Sequence, residues 1–153
     1  MALSESANEA LLFETFMQGR NRAWGIFEDR FGTTRREFVI DIDGRLAGGD
    51  LHLEERFAYD DGERETRLWG IRAIGADLYE GWCDDLHGRA LGRRSANIIR
   101  WRYRFNLKVG TRKLLVDFDE RMVLRSPAIA LDRAQLSKWG VRLGSVTLCY
   151  QKL

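Results

Sequence analysis

The chain has a single proline, Pro127, among its 153 residues, and no apolar run long enough to span a bilayer. It also lacks any linker, repeat or low-complexity segment, and its 15 glycines are spread along the whole length. Glycine supplies the backbone freedom that tight turns need. This distribution therefore predicts many short elements joined by turns within one domain, residues 1–153.

Cysteine and histidine are scarce as well. The two cysteines are Cys83 and Cys149, and the two histidines are His52 and His87. Their spacing fits no zinc or redox motif, and no serine or cysteine stands near either histidine in a triad pattern. We therefore predict two reduced thiols, and the sequence indicates no metal site, no cofactor and no catalytic residue.

A strong excess of positive charge is missing, because the formal net charge is only +2. Arg100, Arg102 and Arg104 do alternate with aromatic residues. In a strand, however, alternation sends the arginines and the aromatics to opposite faces, so the two sets cannot contact one nucleic-acid strand together. The charge pattern thus argues against a nucleic-acid partner, and it leaves the oligomeric state open.

The N-terminal residues show no positively charged segment followed by an apolar one, as a signal peptide would. From the sequence as written we expect a soluble chain that stays in the cytoplasm. Removal of a leader would instead allow a periplasmic or envelope location.

One short helix is predicted over residues 6–18. Ser6 and Glu9 form a capping-box pair, apolar residues then recur at helical spacing, and Gly19 supplies a C-terminal stop.

After Gly19 the apolar period changes to two, which is the period of a β-strand. A turn at residues 47–50 joins two such strands in a register that matches apolar with apolar and acid with base. The matched pairs are Leu46 with Leu51, Ile40 with Phe57, and Asp41 with Arg56. Asp43 opposite Glu54 is a mismatch of like charges.

A second hairpin is specified even more strongly, with its loop at residues 108–113. The matched pairs are Leu107 with Leu114, Phe105 with Val116, Tyr103 with Phe118, Arg104 with Asp117, and Arg102 with Asp119. A slip of one residue would expose every aromatic side chain on the first strand, so this register is well determined.

Further strands are predicted at 22–29, 65–74, 78–84, 129–137 and 144–151. The total is about nine antiparallel strands in simple succession. This pattern favours an all-β, up-and-down barrel over residues 19–153, which removes sheet edges by closing and has room for one small ligand. A β-sandwich is the alternative.

Six short segments are distinctive: Ala23-Trp24-Gly25, Asp29-Arg30, Tyr59-Asp60-Asp61-Gly62, Trp101-Arg102-Tyr103, Asp119-Glu120-Arg121-Met122 and Ser137-Lys138-Trp139-Gly140. Together they resemble a proteobacterial family of uncharacterised proteins that includes lipoproteins. The resemblance runs from about Gly19 to the C-terminus and implies no particular chemistry. The lipoproteins imply an envelope setting for some members, but this chain has no lipid-attachment cysteine near its N-terminus.

A looser similarity is to lipocalin-like barrels, which carry a glycine and a tryptophan at the start of the first strand, as Gly19 and Trp24 do here. That similarity implies that Trp24 packs near an arginine from the C-terminal part of the chain at the closed end, a role for Arg133 or Arg142.

Polar residues in phase with the apolar face of a strand are expected inside the barrel. Glu55 shares the phase of Leu53, Glu120 that of Phe118, and Arg133 that of Leu131. The candidate ligand-binding residues are Arg133, Tyr103, Glu120, Glu55, Tyr59 and Trp101. The alternative interpretation is an interior in which acids and arginine only neutralise each other.

Three functions follow as hypotheses. The first is non-enzymatic binding of a small, largely apolar ligand of the lipid or fatty-acid class, with Arg133, Tyr103 and Glu120 at its head group. The second is an enzyme acting on a lipid-like substrate, with Glu55 or Glu120 as a buried acid or base. The third is a structural or partner-binding module whose barrel is filled.

Overall fold

The computed structural model describes residues 12–153, which form one short helix and ten strands. The helix, α1, spans Phe13–Met17, so residues 6–11 of the predicted helix lie outside the described residues. The strands are β1 Gly19–Asp29, β2 Thr34–Ala47, β3 Asp50–Tyr59, β4 Arg64–Ala73, β5 Leu78–Trp82, β6 Ala90–Ser95, β7 Ile98–Val109, β8 Arg112–Leu124, β9 Ile129–Lys138 and β10 Val141–Lys152.

The strands form a closed antiparallel barrel. Each strand pairs with the next in sequence, and β1 pairs with β10 from Asn21 opposite Lys152 to Asp29 opposite Gly144. The predicted all-β, up-and-down barrel is therefore confirmed, with ten strands in place of about nine. The additional strand is β6, whose less exposed face holds Ala90, Gly92 and Arg94, so it shows no apolar alternation.

Both predicted hairpins form in the predicted register. Ile40 lies opposite Phe57, and Phe105 lies opposite Val116. Asp43 does lie opposite Glu54, as predicted, and Arg56 forms an ion pair with each of these two acids. Its guanidinium is 2.8 Å from the Asp43 carboxylate and 3.6 Å from that of Glu54.

Helix α1 closes one end of the barrel. Phe13 and Phe16 are buried there, and the ring of Phe13 packs edge-on against Tyr79 and Trp101, with both pairs of ring centroids 5.9 Å apart. The main-chain carbonyl of Phe16 accepts hydrogen bonds from Asn21 Nδ2 at 3.2 Å and Lys152 Nζ at 2.6 Å. The two strands that close the barrel thus also hold the helix in place.

The outer surface carries much of the charge as ion pairs. Arg100 lies 2.7 Å from Asp119, and Arg104 lies 2.8 Å from Asp117, so these arginines are paired on the outside of the barrel. Cys83 and Cys149 are free. Within residues 12–153, the helical part is too short to cross a membrane.

Gly44 on β2 gives a test of how closely α1 is seated. A Cβ atom at this position would overlap the main-chain carbonyl of Met17, which cannot move without losing the helix contacts. We expect Gly44→Ala to lower the free energy of unfolding by about 1–3 kcal/mol, as overpacking does, measured by urea denaturation. Gly75→Ala is the control, because its added Cβ would come no closer than 3.6 Å to another atom. Equal stability of the two variants would contradict this account of the closed end.

Candidate functional site

The described residues leave a cavity of about 580 Å³ inside the barrel. Helix α1 closes one end, where Phe13 and Trp101 line the cavity. The opposite end is open between turns, and Arg36, Glu63 and Lys108 line it there. Small-molecule sites have volumes of this order, so residues 12–153 alone do not produce the filled barrel of the third hypothesis.

Aromatic and aliphatic side chains together line the cavity, and most of the aromatic ones belong to two groups of packed rings, in which Phe105 is the member that does not itself line the cavity. The first is Phe38, Phe57 and Tyr59, and the second is Trp69, Tyr103, Phe105 and Phe118. Such walls offer a large apolar area to a ligand at little cost in side-chain entropy.

Glu55 on β3 points into this apolar interior and is only 9% exposed. Burial raises the pKa of its carboxyl group to about 7, because a buried carboxylate loses its hydration. Arg67 opposes this rise, and the nearby charge of Glu120 adds to it. Glu55 is therefore a group that exchanges a proton near neutral pH.

Glu120 and Asp132 lie side by side on β8 and β9. The hydroxyl of Tyr103 donates to Glu120 at 2.6 Å. Asp132 is 3% exposed, and neither of its carboxyl oxygens accepts a hydrogen bond from the described residues. Burial raises the pKa of Asp132 well above its ordinary value, and the charge of Glu120 raises it further. This pair of acids needs either a proton between them or a hydrogen-bond donor from a ligand.

Arg67 on β4 is the cation that lies deep in the cavity. Its guanidinium stacks over the rings of Phe57 and Phe105, 4.4 Å from each centroid, and its Nε is 2.7 Å from a carboxylate oxygen of Glu65. Glu65 also accepts a hydrogen bond from the Tyr59 hydroxyl at 2.9 Å. Arg67 is paired with Glu65, so although its charge still acts on Glu55, no ion pair within residues 12–153 includes Glu55, Glu120 or Asp132.

The predicted inward orientation of Arg133 is wrong, because its side chain lies on the exposed outer face of β9. The inner face of that strand carries Asp132 and the small residues Ala130 and Ala134. Leu131 faces outward, beside Trp24 in a shallow outer groove. The prediction assumed that Leu131 points inward, and because Leu131 faces outward, the predicted inner and outer faces of β9 were exchanged.

The lipocalin resemblance implied a packed tryptophan and arginine at the closed end, and this is not found. Trp24 is 44% exposed on the outer surface, and Arg133 is exposed too. Arg142 lies beside the β9–β10 turn, at the open end.

The other predicted site residues line the cavity at different depths. Trp101 is buried against α1 at the closed end. Tyr59 lies nearer the open end, where the guanidinium of Arg36 stacks 3.5 Å from its ring centroid. Tyr103 lies between them and joins Glu120.

Sequence reasoning missed Arg67, Asp132 and Tyr150, which all lie inside. On β4, Leu68 and Trp69 are adjacent apolar residues that point to opposite faces, so alternation alone does not decide which face of the strand points inward. The tryptophan points inward and Leu68 is exposed. Giving greater weight to the larger aromatic residue would have placed Arg67 inside. Within residues 12–153, no group of three acidic, histidine or cysteine side chains is arranged to hold a metal ion.

Residues 2–152 match a family described as "Protein of unknown function (DUF3833)". No curated protein sequence matches the chain. Among solved structures, the S-type phycobiliprotein lyase from Guillardia theta is similar, with a TM-score of 0.72 over 98% of this chain and 99% of that chain. Only 8% of residues are identical, so this likeness supports the lipocalin-like barrel fold alone.

The raised pKa of Glu55 predicts a pH dependence of stability. The folded protein keeps a proton on Glu55 at pH values where the unfolded chain has lost it. This contribution is therefore full below about pH 4.5 and is lost as the pH rises to about 7. It amounts to roughly 3 kcal/mol. We expect Glu55→Gln to reduce the fall in the free energy of unfolding between pH 4.5 and 7, measured by urea denaturation at several pH values.

Glu54→Gln is the matched control, since Glu54 is the neighbouring residue on the same strand and lies on the exposed face. Its pH dependence should follow that of the unsubstituted protein. If the two variants show the same slope, Glu55 does not carry a raised pKa.

Proposed function

This chain belongs to the DUF3833 family, and from the geometry of its interior we propose that it binds a small, largely apolar ligand of the lipid class inside the barrel. The observation that carries this proposal is the cavity of about 580 Å³, with aromatic walls, one end closed by α1 and the other end open. Burial of apolar ligand surface against such walls supplies most of the binding free energy.

The interior acids Glu120 and Asp132 determine which end of a ligand can lie deepest in the cavity. The carboxyl oxygens of Asp132 have no hydrogen-bond partner among residues 12–153, whereas Glu120 already accepts a hydrogen bond from the Tyr103 hydroxyl, so a hydroxyl, amide or amine group fits beside Asp132. An ionised fatty-acid carboxylate would instead meet like charge. If the ligand has an acidic group, that group lies at the open end near Lys108, because the neighbouring Arg36 is already paired with Asp61 and Glu63. This arrangement replaces the head-group contact that we had expected from Arg133.

An enzymatic role is the second candidate, and the observation that favours it is Glu55. A buried carboxyl with a pKa of about 7 can accept or donate a proton at neutral pH. The similar barrel of a phycobiliprotein lyase is consistent with catalysis in this fold. Incubating an extracted ligand with the protein and with Glu55→Gln distinguishes the two roles. An enzyme converts the ligand and the variant does not, whereas a carrier leaves it unchanged in both.

Retention of a cellular ligand tests binding directly. Ala134 lines the cavity, so Ala134→Leu should fill part of it, weaken ligand binding about tenfold, equivalent to about 1.4 kcal/mol, and so lower the occupancy of a co-purified ligand. Native mass spectrometry of the purified protein measures that occupancy. Arg133→Ala is the control, because the adjacent side chain lies outside the barrel. Loss of ligand in the control, with retention in Ala134→Leu, would contradict the proposed site.

A pair of related dyes tests the preference for a donor. N-phenyl-1-naphthylamine is apolar with one N–H group, and 1-anilinonaphthalene-8-sulfonate adds an anionic group to the same framework. We expect the neutral dye to bind about tenfold more tightly, because the interior acids repel the sulfonate. Glu120→Gln should narrow this difference, because it removes the carboxylate charge that raises the pKa of Asp132, and the outward-facing Asp117→Asn should not. Fluorescence titration gives both affinities, and tighter binding of the sulfonate would overturn the assignment.

A further inference from the structure

Three turns at the open end expose large apolar side chains, which folded proteins more often bury. Trp139 at the β9–β10 turn is 88% exposed, and Phe31 at the β1–β2 turn is 79% exposed. Val109 and Val141 are more than half exposed beside them. Single exposed apolar residues are ordinary, but a group of them at one end marks an interaction surface.

The barrel order places these turns next to one another. Since β10 pairs with both β1 and β9, and β9 pairs with β8, the β9–β10 turn lies between the other two. Asp29 is opposite Gly144 on one side, and Asp117 is opposite Ser137 on the other. We call residues 30–35, 108–112 and 138–142 together the mouth surface. Arg35, Lys108 and Val109 of this surface also line the cavity.

The mouth surface is strongly basic. It contains six cations and no acid, although one of the six, Arg35, is paired with Asp29 at the edge of this surface, 2.7 Å away. The cations are Arg30, Arg35, Lys108, Arg112, Lys138 and Arg142. Two of them stack on the exposed rings, with Arg30 4.8 Å from the centroid of Phe31 and Lys138 Nζ 4.5 Å from that of Trp139.

The remaining turns at the open end have the opposite character. Residues 60–64 and 84–89 hold five acids, Asp60, Asp61, Glu63, Asp84 and Asp85, against two arginines. The rim is therefore divided into a basic, apolar part and an acidic part. This division gives the mouth a preferred side toward a negatively charged partner.

We propose that the mouth surface docks on an anionic lipid bilayer, with Phe31 and Trp139 inserted among the head groups. Aromatic rings at the tips of turns suit the interface between head groups and acyl chains, where one side is apolar and the other wet. The surrounding cations match the negative potential of anionic lipids. Docking in this way places the open end of the cavity against the membrane. The proposal stands on the exposed turns and not on the identity of any ligand in the barrel.

Co-sedimentation with vesicles tests this docking. We expect the whole chain to bind vesicles of phosphatidylcholine mixed with phosphatidylserine, and to bind pure phosphatidylcholine vesicles at least about tenfold more weakly. Binding should also fall between 0.1 and 1 M salt, as the Debye length decreases from about 10 to about 3 Å. Equal binding to both kinds of vesicle, or no binding to either, would overturn the proposal. In the latter case the surface would suit a protein partner instead.

A double variant locates the contact. Phe31→Ser with Trp139→Ser should lower binding to the mixed vesicles at least about tenfold. Leu46→Ser with Leu68→Ser is the matched control, because these exposed leucines lie away from the mouth surface, and it should bind as the unsubstituted chain does. Both double variants should keep the affinity for N-phenyl-1-naphthylamine, which shows that the barrel is folded. Unchanged vesicle binding by the first variant would refute the docking surface. If the unsubstituted chain does not bind the dye, that result contradicts the proposed ligand site in the cavity and leaves the docking proposal unaffected.

Discussion

The pairing of β1 with β10 is the contact on which the remaining structure depends. It closes the sheet, so that one face of every strand points into a shared interior and no backbone edge is left open. The same two strands provide Asn21 and Lys152, which bind the carbonyl of Phe16 and hold α1 over one end. Closure of the wall and closure of the end thus use the same two strands, and both enclose the cavity.

The interior is unusual in its charge and not in its size. A buried carboxylate is costly unless it is paired, and the guanidinium of Arg67 is already committed to Glu65 and two aromatic rings. Glu55, Glu120 and Asp132 must therefore hold protons or receive donors. A core selected only for stability would place apolar residues at these positions, because such replacements are often neutral or stabilising. This argues that the acids are kept for what enters the cavity.

The sequence predicted the fold well where neighbouring strands constrain each other. In the two hairpins the apolar pairs and the opposite charges agree on one register, so the pairing of Ile40 with Phe57 and of Phe105 with Val116 could be read directly. The wall of the site was harder to predict. On β9 the exposed Leu131 was assigned to the inner face, so Asp132 was not predicted to lie inside. On β4 the exposed Leu68 had the same effect on Arg67. Alternation within one strand gives its period but not its facing, which is set by partners elsewhere in the barrel.

The two ends of the barrel follow from different physical requirements, and this gives the molecule a direction. At the closed end, Phe13 packs against Tyr79 and Trp101, and Gly44 lets the helix backbone come close, so packed side chains occupy that end. Any donor for the deep acids must then arrive through the open end. The turns at that end carry charge of both signs on separate sides, together with exposed aromatic rings. An entrance that is asymmetric in this way orients whatever approaches it, and the orientation decides which end of a molecule first meets Asp132.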